Sequence, residues 1–145
     1  MSVHFSIVKE TPGGKPSVSF RASRAGGLGA PKFREIKFQA IKEAVLGKGY
    51  SLTLIFTDAA RMKKLNTIYR DKESATDILS FPISETEGEI YMCESEAEKE
   101  APKFDREYDN FIAFLFIHGC VHLKGHDHGS TMEDIETRLR KKFGI

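Results

Sequence analysis

Four of the chain's five histidines fall within eleven residues, as His118-Gly-Cys-Val-His122-Leu-Lys-Gly-His126-Asp-His128. His118 and His122 stand four apart, so on a helix both imidazoles leave from one face. That spacing lets two ring nitrogens reach one metal ion at about 2.0–2.1 Å. Gly125 stands where such a helix must stop, because glycine takes the left-handed conformation without a Cβ clash. The chain can reverse there and bring His128 back as a third ligand. Three histidines and one open position make a catalytic rather than a closed structural zinc site, and they lower the pKa of a bound water towards about 7. The expected cofactor is therefore one Zn²⁺ per chain, although a site of this kind also accepts nickel, copper or cobalt.

The skeleton H-x3-H-x2-G-x2-H is that of the metzincin proteases, which carry a glutamate general base directly after the first histidine. This chain has Gly119 there, so the metal site is retained while the protease base is missing. A metalloprotease is accordingly a minor alternative. His126 reads as an exposed neighbour of the turn, and Asp127 as a partner for a ligating imidazole or a turn cap. Cys120 falls on the helix face away from His118 and His122 and reads as core.

The elements that must hold these residues follow from periodicity. Residues 3–8 and 17–22 alternate as short strands around a Pro/Gly turn at 11–16. A helix opens after Pro31, with Phe33, Ile36, Ala40, Ile41, Ala44 and Val45 on one face, and ends at Gly47 and Gly49. Residues 52–57 form a strand. Asp58 caps a helix running to Arg70, with Met62, Leu65 and Ile68 inward. Residues 77–83 make a strand near a sheet edge because of Pro82, and 89–93 make another. Residues 94–101 are acidic and helical, and Pro102 breaks them. The apolar run 111–117 leads into His118, and the histidine spacing decides for a helix. Ser130 and Glu133 form a capping box for a last helix with Ile135 and Leu139 inward. Strands and helices without strict alternation give an α+β class, a small mixed sheet packed with helices around the metal-bearing helix. At 145 residues the chain reads as a single domain, 1–145.

Composition bounds the setting. Hydrophobic residues are 40% and charged residues 30%, ordinary for a globular protein. No run is long and apolar enough to span a bilayer, and residues 1–8 do not resemble a signal peptide. Two cysteines, Cys93 and Cys120, make a disulfide framework unexpected and the cytoplasm the default compartment. The net charge of +1 hides an uneven distribution. Residues 1–50 carry nine Lys/Arg against three Asp/Glu, residues 51–109 eight against fourteen, and residues 110–145 five against four. Segments of opposite sign cancel in the sum without cancelling in space. Arg21, Arg24, Lys32 and Arg34, with Arg70, are expected to line one side of the histidine cleft, and the acidic stretch 85–109 to face elsewhere.

The histidine segment resembles the H-G-x-x-H-L-x-G-Y-D-H signature of the YbeY endoribonucleases. A second block, Tyr69-Arg70-Asp-Lys-Glu-Ser-Ala-Thr76-Asp77-Ile-Leu-Ser-Phe-Pro82, resembles that family's Y-R-x-K-x-x-x-T-D-V-L-S-F-P. The likeness covers roughly residues 50–145. It implies a metal-dependent, single-strand-preferring endoribonuclease acting in late ribosomal RNA processing at the 3′ end of the small-subunit RNA, and in ribosome quality control. It also implies His118, His122 and His128 as metal ligands, and Arg70 and His118 as residues the activity needs. The implied partners are ribosomal RNA and the small ribosomal subunit, with no membrane. Two departures stand out: His126 replaces the family's tyrosine, and Glu89 replaces an aspartate after Gly88. Phosphodiester cleavage fits these residue types, since zinc polarises a phosphoryl oxygen and an arginine fork binds one. Without the motif, Arg70 would read as a helix-end charge opposing the dipole. A further alternative is a non-catalytic, ribosome-associated RNA-binding factor whose metal is structural.

Overall fold

The computed structural model describes residues 4–10, 17–22, 33–71, 76–125 and 130–145. Five strands, β1 (Phe5–Lys9), β2 (Ser17–Ala22), β3 (Ser51–Thr57), β4 (Ile78–Ser84) and β5 (Glu87–Cys93), form one mixed sheet in the order β2-β1-β3-β5-β4. The outer pairs β1–β2 and β4–β5 are antiparallel, and β1–β3 and β3–β5 are parallel. Pro82 sits on β4, the edge strand, where its missing N–H breaks no ladder on the open side.

The helices are α1 (Phe33–Leu46), α2 (Ala59–Arg70), α3 (Glu94–Glu100), α4 (Tyr108–Leu123) and α5 (Ser130–Phe143). The acidic α-helix ends at Glu100, just ahead of Pro102 as expected, but the chain does not open into a loop there. The chain tightens into a 3-10 turn, Ala101–Phe104, that carries the proline in its first turn, where an amide hydrogen has no partner to lose.

Alternation along β5 sorts the helices onto two faces of the sheet. Ile90 and Met92 point into the main core with α1, α4 and α5, while Cys93 and the flanking Tyr91 join Met62 and Leu65 of α2 in a smaller cluster. Helix α4 is apolar all round because it lies between the sheet and the other helices. Phe111, Ile112, Phe116, Ile117, Cys120 and Val121 are all fully buried. Each large side chain there contributes roughly 1.5–3 kcal/mol by leaving water. Phe116 packs against Phe5 of β1 and Phe38 of α1, with ring centroids 6.0 and 4.8 Å apart.

Two helix faces differ from expectation. Ile68 is 63% exposed rather than inward. With 3.6 residues per turn, Met62, Leu65, Asn66 and Tyr69 share one arc of α2, and Ile68 is rotated away from it. On α5, Ile135 and Leu139 pack against the core as expected, but the two buried positions are Met132 and Glu136. A carboxylate thus sits in the middle of an apolar stripe.

Candidate functional site

Helix α4 delivers His118 and His122 to one place. Their rings meet nearly edge to face, with centroids 4.7 Å apart and planes at 87°. Phe111, Leu115, His118 and His122 share that face, which looks towards α5. The helix stops as its sequence requires: the Gly125 amide donates to the His122 carbonyl at 3.0 Å, and Gly125 has φ +102°. A side chain there would be strained. His126, Asp127 and His128 lie outside the described residues.

Glu136 explains its own burial at this site. Its Oε1 lies 2.8 Å from Nδ1 of His118, and the residue is only 7% exposed. A carboxylate only accepts, so the neutral ring that satisfies it carries its proton on Nδ1 and its lone pair on Nε2. A carboxylate behind an imidazole in this way is the usual support of a metal-ligating histidine. The donor set therefore fits a borderline metal such as zinc at His118 and His122. Among the described residues no three His, Cys, Asp or Glu side chains gather into a metal-binding cluster.

Gly119 is closely packed against β4 and β5. A Cβ on it would lie 3.0 Å from the terminal methyls of both Ile78 and Ile90 and 3.1 Å from the Ser80 hydroxyl. Ser80 also donates to the Gly119 carbonyl at 3.4 Å, tying β4 to α4. The position after the first histidine thus faces the sheet, and a glutamate there has no room to serve as a base. This removes the ground for a protease with its base at that position.

His118 and Glu136 line a cleft of about 430 Å³ together with Asp77, Phe104, Phe114 and Arg140, among others. Burial pushes the Asp77 carboxyl above the ordinary carboxylate range, and the nearby Glu100 adds to this. Its own amide, that of Ile78 and the His118 ring act the other way. Asp77 also holds the β4 entrance, its carbonyl accepting from the Cys93 amide at 3.0 Å. Cys120 is fully buried on the far side of α4, and burial pushes its thiol well up, so it is inert.

Arg70 is the last residue of α2, on the opposite face of the sheet, and is exposed. It is followed by Asp71 in the left-handed conformation, and it is not one of the residues lining the His118 cleft. Arg24 and Lys32 lie outside the described residues, as do the side chains of Arg21 and Arg34. The acidic stretch does not simply face elsewhere, because it contributes Phe104 to the cleft. Sequence reasoning missed Glu136. Its signal was available: a glutamate four residues after Met132, on the stripe that also holds Ile135 and Leu139.

Comparison with known proteins gives a consistent set of likenesses. Residues 30–143 match the family described as Endoribonuclease YbeY. Relatives of that name include one from Agrobacterium fabrum, 33% identical over 108 residues, which are 65% of this chain and 64% of the relative. The chain thus spans under two thirds of that protein's length. Another, from Sulfurimonas denitrificans, is 36% identical over 101 residues, covering 65% of this chain and 73% of the relative. The solution structure of the Thermotoga maritima protein TM1509 superposes with a TM-score of 0.57 at 24% identity, covering 79% of this chain and 85% of that one, a likeness of fold.

Proposed function

The chain belongs to the Endoribonuclease YbeY family, and on that premise we propose that it is a metal-dependent endoribonuclease acting on single-stranded segments of ribosomal RNA. Its place would be late processing at the 3′ end of the small-subunit RNA. The observation that carries this reading is the His118–His122 pair on one face of α4, with Glu136 holding His118 by Nδ1.

His118 and His122, with His128, are the residues that would hold the ion. A bound zinc ion supplies Lewis acidity towards a phosphoryl oxygen and a water acidic enough to act near neutrality. The protein's own part is orientation and charge. Glu136 fixes the tautomer and the orientation of the His118 ring. Asp77, whose burial favours its neutral form, can hold a proton in the same cleft. Arg70 offers a permanent positive fork for RNA phosphates outside it.

No helix among the described residues is long and apolar enough to cross a membrane. Cys93 and Cys120 are both buried and unbridged, which suits a reducing compartment, and we assign the protein to the cytoplasm. Purified, metal-analysed protein is expected to nick single-stranded RNA, and His122→Ala and Arg70→Glu are expected to abolish or sharply lower the rate. Cleavage unchanged in both variants overturns the proposal.

A further inference from the structure

The end of the cleft away from the histidines has a chemistry the catalytic reading does not use. Phe114, on α4, is covered by two guanidinium groups from distant parts of the chain. Arg106 lies 4.5 Å from its ring centroid and Arg140 lies 5.2 Å from it. Arg106 comes from the segment before α4 and Arg140 from the last turn of α5. The helix dipole accounts for a cation at the end of α5. It does not account for a second one brought to the same ring.

Neither guanidinium forms an ion pair with a carboxylate among the described residues. Arg106 donates to the Asn110 amide oxygen, and Arg140 to the Thr137 hydroxyl at 3.1 Å. Burial, and then the charge of Arg140, lower the pKa of Arg106, as expected of two cations held close together without an anion. By contrast, Lys99 and Lys103 nearby are each paired with a glutamate one turn away.

Phe104 stands beside this pair and is 51% exposed. Its ring centroid lies 5.2 Å from that of Phe111 and 5.6 Å from that of Phe114. One flank of the ring is therefore fixed by packing while much of it remains open to solvent. The cleft mixes an apolar wall, from Ile78, Phe111, Phe114, Leu115 and Met132, with a few charged groups. Asp77, Glu133 and Glu136 gather acceptors around His118, and Arg140 and Phe104 stand among its other lining residues. Acceptors at the histidine end favour a cation, and unpaired guanidiniums with an open aromatic ring favour a phosphate carrying a base.

We propose that Arg106, Arg140 and Phe104 form a nucleotide subsite beside the histidines, in which the two guanidiniums bind a backbone phosphate and a base of single-stranded RNA stacks on Phe104. The subsite rests on the RNA-cleaving reading above and adds to it a grip on the strand that runs away from the histidines.

The test measures binding of a short fluorescein-labelled oligoadenylate to the full chain by anisotropy, across a salt series. Arg106→Gln/Arg140→Gln is expected to weaken binding and to lower the salt slope by about 0.7 for each phosphate that is no longer neutralised. Phe104→Ala is expected to weaken binding about tenfold with the slope unchanged, and Phe104→Tyr to restore it. Wild-type affinity and slope in the arginine pair overturn the subsite. If that pair melts early, Phe104→Ala decides, since its half-exposed ring can be removed without opening the core; unchanged affinity there overturns the subsite. Wild-type protein that cleaves RNA alongside unaffected variants removes the subsite alone. Wild-type protein that neither binds nor cleaves RNA removes the endoribonuclease reading with it.

Discussion

The contact between His118 and Glu136 is the smallest unit of the site and the most informative. Two side chains eighteen residues apart meet at 2.8 Å, and each accounts for the other. A 7% exposed carboxylate is costly without a donor, and an imidazole that is to bind metal needs its other nitrogen held. Glu136→Gln keeps the shape but replaces a charged acceptor with a neutral amide. Zinc affinity is expected to fall by about 10–100-fold. A competition titration against a zinc chelator reads it, with thermal melting of the metal-free protein as control. Equal affinity would mean that the carboxylate serves packing alone. The histidine spacing was legible in the sequence because i, i+4 is a local relation. The glutamate was not singled out, because its partner lies on another helix.

At the scale of elements, the position of α4 against the sheet depends on close approach. Gly88 of β5 lies under Leu123, the last residue of α4. A Cβ there would collide with the Tyr50 hydroxyl and come within 3.0 and 3.1 Å of the two Leu123 methyls. The Tyr50 hydroxyl is buried and finds no hydrogen-bond partner among the described residues. Gly88→Ala is expected to cost about 1–3 kcal/mol by overpacking. Tyr50→Phe is expected to stabilise by about 1 kcal/mol, because it removes an unsatisfied polar atom. The double variant should recover part of the Gly88→Ala loss, and urea unfolding of all four proteins measures the coupling. Most elements were readable from periodicity and caps. Asp58 accepts from the Arg61 amide at 2.7 Å as an N-cap should. The reading failed at Ile68, which is rotated off the arc of α2 that buries Met62, Leu65 and Asn66 and stays exposed among the described residues.

Across the whole molecule, net charge is a poor guide and placement decides. The carboxylates of the acidic middle are partly spent within α3 and the turn after it, whereas Arg140, in the cleft, and Arg106, beside it, lie over Phe114 with no carboxylate partner among the described residues. One cation of the basic N-terminal third lies in the core instead. Lys42 of α1 is 3% exposed, and desolvation lowers its pKa from 10.5, with Glu43 and Cys120 drawing it back. The folded state therefore releases this proton at lower pH than the unfolded chain. Below the folded pKa both states are protonated, and the full cost of burying the ammonium stands. Between that value and 10.5 the unfolded chain holds more protons, so Lys42 costs less as pH rises. Lys42→Met is expected to stabilise the protein at neutral pH, with the gain shrinking as pH approaches 10.5. Denaturant midpoints of the two proteins compared at each pH isolate this residue, and a gain that does not change with pH would contradict it.

What the amino-acid order determined by itself is local: the histidine pair on one helical face, the glycine that stops that helix, the capped start of α2 and the proline-marked edge strand. Each depends on residues within a turn or two of one another, so spacing alone carries them. The tertiary structure alone decided that Glu136 reaches His118, that Gly119 is pressed against Ile78 and Ile90, and that Arg106 and Arg140 share one phenylalanine. Those contacts join residues 8 to 41 positions apart, most of them on different elements. They exist because α4 is packed between the sheet and α5 at one distance and angle, which no local pattern records.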